Sequence, residues 1–209
     1  MLRSFVGLLA RNRSTSFVKT SLTYLTGSVI NSALPLLLLP VLTRYLSPTD
    51  YGIVATSTVL VQIFSAVVGI NAYGLIGRTH FDEDHDVHSK LVSTSLLLAA
   101  ALSAVLVLIL LPMQGLIEGL TKFPGSWAAI TVFLALTAVV QTTYLSILQA
   151  RTEARRFISI QILSTAVNLG FSFLFVVALG MDWRGRILAI VGTALLIAVL
   201  AVRDLVARL

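Results

Sequence analysis

Ionised side chains are spaced so that six long stretches of this chain carry none. They are Thr20–Thr43, Tyr51–Gly77, Leu91–Ile117, Phe123–Ala150, Phe157–Met181 and Ile187–Val202. The first five hold 24 to 28 residues each. At 1.5 Å per residue, the shortest of those five reaches about 36 Å as a helix, across a hydrocarbon core of roughly 30 Å. The sixth holds 16 residues. It reaches only about 24 Å, which implies that Arg186 and Arg203 snorkel outward at its ends. The pattern predicts an all-α integral membrane protein, a six-transmembrane-helix bundle.

Composition points the same way. The 209 residues are 57% hydrophobic and 11% charged, against about 25% charged in soluble domains. Cysteine is absent, which excludes disulfides, thiolate metal sites and cysteine nucleophiles. The net charge of +6 has no basic run interleaved with aromatics, so nucleic acid is not an expected partner. Residues 1–19 read as a cytoplasmic amphipathic lead, with Leu2, Phe5, Leu8 and Leu9 toward lipid. With the amino terminus inside, 11 of the 15 Lys and Arg residues fall on the inner side and Arg44, Lys122, Arg184 and Arg186 on the outer. That asymmetry predicts a multi-pass membrane protein with both termini cytoplasmic if all six segments span. The bundle is expected over residues 20–203, and 204–209 form a cytoplasmic tail.

Polar residues inside the spans carry the functional signal, because a bilayer offers them no water. In the fifth span Gln161, Ser164, Thr165, Asn168 and Ser172 recur at three- and four-residue spacing and share a helical face. Thr58, Gln62 and Ser65 do the same in the second span, followed by Asn71; Thr137, Gln141 and Tyr144 do so in the fourth. Tyr24, Gly27, Ser28 and Asn31 share a face of the first span, which Pro35 and Pro40 can kink. The third and sixth spans offer small residues and few hydrogen-bonding groups, and read as closer to lipid. Such faces serve helix packing as well as cavity lining. Amides are costlier to bury than hydroxyls, so Asn31, Asn71, Gln141, Gln161 and Asn168 are the cavity-lining candidates. No span holds an ionised residue, which argues against a buried proton relay.

Catalytic motifs are missing. There is no Gly-x-Ser-x-Gly elbow, Walker A loop, His-Glu-x-x-His or dinucleotide fingerprint. No catalytic residue, cofactor or enzymatic activity is expected. His80, His85 and His88 lie among carboxylates in one inner loop. A solvated charged loop accounts for them, and no metal site is assigned.

The segment PLLLLPVLTRYLSPTDYGIVA (Pro35–Ala55) resembles the end of the first helix and the following turn of bacterial polysaccharide-repeat flippases. These are the O-antigen and teichoic-acid type, in the superfamily that also holds multidrug extruders. Leu42, Thr43, Arg44, Leu46, Pro48, Tyr51 and Gly52 match that pattern as they stand. GLIGRTHF with Arg78 resembles the family's second inner loop, and Leu148–Val176 is similar to its fourth-to-fifth connection.

The resemblance implies a fold equivalent to the amino-terminal half of a flippase of twelve or more helices. It implies translocation of an undecaprenyl-pyrophosphate-linked oligosaccharide by alternating access, incomplete without a second half. The expected partners are the lipid-linked oligosaccharide, membrane lipids and either a second six-helix half or a second copy. Arg44 and Arg78 are then the anion-contact candidates at the two mouths, with boundary anchoring as their alternative role. A non-transporting membrane scaffold subunit and half of a multidrug-type exporter stand as the other readings.

Overall fold

The computed structural model describes residues 42–69 and 85–208, with residues 22, 25–27, 29, 36 and 38–40 ahead of them. Of the six expected spans the first therefore lies mostly outside the described residues, as does the lead over residues 1–19. The described residues form helices and no strand: α1 (Pro48–Val68), α2 (His85–Leu110), the short α3 (Gln114–Thr121), α4 (Ala128–Ala150), α5 (Ala154–Ser172) and α6 (Asp182–Arg208). A 3₁₀ turn, Gly125–Trp127, leads into α4, and a π-helical segment, Phe173–Ala178, extends α5. Five of these units are long and apolar enough to cross a membrane. The chain is an all-α, multi-pass membrane protein.

Local chemistry sets the boundaries. α1 begins at Pro48, three residues before the charge-free stretch, because Ser47 caps it. Ser47 Oγ accepts from Asp50 N and Asp50 Oδ2 accepts from Ser47 N, both at 3.2 Å. That reciprocal box satisfies two backbone donors, and Pro48 fills the first helical position, where no donor is needed. The third charge-free stretch is broken into two helices. Pro112 has no N–H, and α2 stops at Leu110 before α3 resumes at Gln114. The sixth span is longer than its charge-free stretch implies. α6 runs for 27 residues and takes Arg184, Arg186, Arg203 and Asp204 into the helix.

Core contacts fix the arrangement. Phe64 of α1 lies with Val132 and Ala135 of α4, and Val68 lies with Val139. Numbers rise together, so α1 and α4 are parallel. Ala99 of α2 meets the level of Val139, whereas Val92 meets Tyr144, Ile147 and Leu148. The order reverses, so α2 is antiparallel to α4. Trp127, just ahead of α4, and Trp183, early in α6, meet edge to face at 5.0 Å between centroids. Ala201 and Leu205, late in α6, join Ile147 and Leu148, late in α4. So α1, α4 and α6 all start at one end of the bundle.

α4 is the most enclosed helix, with 56% of its apolar window buried. α2 is peripheral, and its Leu97 and Leu108 stand 72% and 68% exposed. α6, read from the sequence as closer to lipid, buries one face and leaves Leu195, Leu196, Val199 and Val202 exposed. Gly185, Ala189, Thr193, Ile197, Ala201 and Leu205, four residues apart, are all buried. Most of these are small, and small residues let helix backbones come close in the membrane.

Candidate functional site

A cavity of about 290 Å³ opens between α1, α4 and α6. Its polar lining is Thr58 from α1, Thr137 and Gln141 from α4, and Arg186 from α6. Val61, Leu134 and Ile190 supply apolar wall. Thr137 and Gln141 reach the same space because they are four residues apart on α4. Thr137 Oγ1 also donates to the Leu134 carbonyl at 2.9 Å, which holds the hydroxyl close to its own helix.

Arg186 is the cation of this site, and it is held from behind by α5. Its Nη1 donates to Asn168 Oδ1 at 2.8 Å and to Ser172 Oγ. Ser172 in turn donates to the Asn168 backbone carbonyl at 2.6 Å. Asn168 and Ser172 lie one turn apart on α5, so the two acceptors form a clamp on one helical face. Arg186 Nε is buried without an acceptor. Among the described residues no carboxylate pairs with Arg186; the ion pairs there join Arg156 to Glu153 and Asp204. A guanidinium in a mostly apolar cavity, held by neutral acceptors, has no compensating charge among the described residues.

The π segment helps to place this clamp. Phe173–Ala178 directly follows Ser172, and Leu179 N donates to the Leu174 carbonyl at 3.0 Å, one residue further back than in an α-helix. Gly185 then packs against it. A Cβ there would lie 2.9 Å from the Phe175 carbonyl oxygen, so only glycine lets α6 come this close. One residue on, Arg186 is brought within reach of α5.

The remaining sequence candidates are dispersed. Gln141 lines the cavity. Asn168 faces Arg186. Gln161 is buried, and its Oε1 has no hydrogen-bond partner; that oxygen lies 2.9 Å from where a Cβ on Gly27 would sit, which places it between α5 and the first span. Arg44 is exposed, away from the cavity lining. Asn31, Asn71 and Arg78 lie outside the described residues, as do the side chains of the histidine loop.

Arg186 was legible only as a boundary charge. Its snorkelling outward, the sequence expectation, does not occur: α6 begins at Asp182, so residue 186 is already a turn inside the helix and turns toward Asn168. The one sequence signal for it was the Asn168–Ser172 pair, whose shared face can accept from a donor on a neighbouring helix.

A second polar group ties the opposite end. Tyr144 Oη donates to Asp204 Oδ2 at 2.9 Å, joining α4 to α6. Arg156 on α5 lies 3.7 Å from Asp204 and 3.3 Å from Glu153.

These features define a class: a multi-pass helical membrane protein with an open, partly polar cavity that one arginine helps to line. The chain belongs to the family described as polysaccharide biosynthesis protein, whose match covers residues 17–207. No curated protein and no solved structure matches it.

Proposed function

We propose that this chain is one half of a carrier that moves a polyprenyl-pyrophosphate-linked oligosaccharide across the cytoplasmic membrane. Membership of a polysaccharide biosynthesis family supports the pathway. The observation that carries the mechanism is the cavity among membrane-length helices, with hydroxyl, amide and guanidinium groups in its wall. A sugar crossing a bilayer needs such groups to replace its water.

Size argues for a second half. About 290 Å³ lies at the lower edge of the roughly 300–1,000 Å³ of pockets that take drug-sized ligands, and an oligosaccharide is larger than these. In this reading the cavity is one wall of a larger cleft, closed by a second six-helix unit or a second copy. The work is conformational, with no covalent step, as one half rocks against the other. The excess of cations on one side of the spans supports an orientation with both termini in the cytoplasm, and membership of the polysaccharide biosynthesis family supports the inner membrane.

Deleting the gene in its host tests the proposal. The expected result is accumulation of lipid-linked units in the inner leaflet and loss of surface polysaccharide. A scaffold subunit would alter chain assembly while units still reach the outer leaflet, and that result overturns the carrier reading.

A further inference from the structure

We infer that Arg186 is an anion-binding site inside the bundle, built to take a phosphate-class anion, with Asn168 and Ser172 as its positioning residues. Three observations carry it. The guanidinium lines the cavity. It has two neutral acceptors and no carboxylate among the described residues. Its Nε is buried with no acceptor.

A structural arginine in a low-dielectric interior needs a counter-charge, because an unpaired one is strongly unfavourable. Here the clamp takes Nη1 alone and leaves the charge in place. It anchors one corner of the planar fork, so the remaining donors keep a fixed orientation. A fork held in this way suits the tetrahedral oxygens of phosphate or pyrophosphate, which accept two parallel N–H bonds. The Gln141 amide offers a further donor in the same space, whereas the Thr58 and Thr137 hydroxyls donate to the Val54 and Leu134 carbonyls. Identifying the anion with the pyrophosphate of the carried lipid rests on the proposed function; the site itself rests on the geometry.

The experiment is a binding titration on the full chain in neutral-lipid nanodiscs, with inorganic pyrophosphate and a short-chain polyprenyl pyrophosphate as the two probes. The wild type should bind pyrophosphate saturably. Arg186→Gln should weaken binding at least tenfold, while Arg186→Lys should retain an intermediate affinity, having the charge without the fork. Tighter binding of the tailed probe assigns the site to a lipid head; equal affinity assigns it to a free anion. Asn168→Asp is the decisive variant. It gives Arg186 a carboxylate partner, so thermal stability should hold or rise while pyrophosphate affinity falls at least tenfold. A purely structural role for Arg186 predicts no loss there.

Absence of saturable binding by the wild type overturns the inference. So does unchanged affinity in Asn168→Asp, which keeps the test decisive should Arg186→Gln fail to fold. Arg186-dependent pyrophosphate binding alongside normal leaflet distribution in the deletion host would sink the carrier reading and leave the site standing.

Discussion

Tyr144 and Arg156 both reach Asp204, and magnitudes decide which of them matters. The Tyr144 bond is 2.9 Å long and comes from a side chain that is 4% exposed. Hydrogen bonds to charged groups contribute about 1.5–3 kcal/mol. The Arg156 contact is 3.7 Å long, and its guanidinium side is 58% exposed; such pairs are worth about 0–1 kcal/mol. Tyr144→Phe should therefore lower stability in mixed micelles by about 2 kcal/mol, and Arg156→Ala by less than about 1 kcal/mol. Reversal of that order in an unfolding titration would show that the charge pair, and not the hydroxyl, ties these helix ends.

At the scale of the element, α6 shows what the amino-acid pattern conveys and what it conceals. Helical spacing alone brought Thr137 and Gln141 to one face, and they share one cavity. It also paired Asn168 with Ser172, and they share one guanidinium. Spacing within a helix is a local property, so it survives into the fold. Which neighbour a face meets is not local, and that is why Gln161 lies against Gly27 and not among the cavity-lining residues. Ionised residues make poor span markers when one of them is turned inward, so the limits of α6 and the place of Arg186 were hidden. Its small residues likewise fit lipid exposure and close packing equally well until the partner helix is known. The close approach at Gly185 yields a prediction. Gly185→Val should push α6 off the π segment, because the obstructing atom is the Phe175 backbone carbonyl and cannot rotate away. Lower thermal stability, together with weakened pyrophosphate binding at an unmutated Arg186, is expected. Unaltered values of both would mean that the contact does not set the arginine's position.

Across the whole molecule α4 is the hub, touching α1, α2, α5 and α6. Packed helices arranged around one centre move as a body, and large changes then occur at the body's edge. The natural lack of cysteine makes this directly measurable, since paired spin labels can be placed without background. Labels at Gln149 on α4 and Val202 on α6, and at Val59 on α1 and Gln149, should keep their distances on addition of polyprenyl pyrophosphate. A shift in either pair would relocate the motion to the interior of the bundle.

The four-residue stripe on α6 has one more implication. A helix turns about 100° per residue, so each step of four advances the stripe by about 40°, and from Gly185 to Leu205 it winds through about 200°. Its early part presses on the π extension of α5, where Gly185 meets Phe175, and its late part on α4 and the start of α5, where Ala201 and Leu205 join Ile147, Leu148 and Phe157. A rod whose buried seam winds about it, and which is held at both ends, resists being spun about its axis, because any screw motion unseats both grips together. Whatever swings in this protein, the arginine's bearing toward α5 travels with it unchanged.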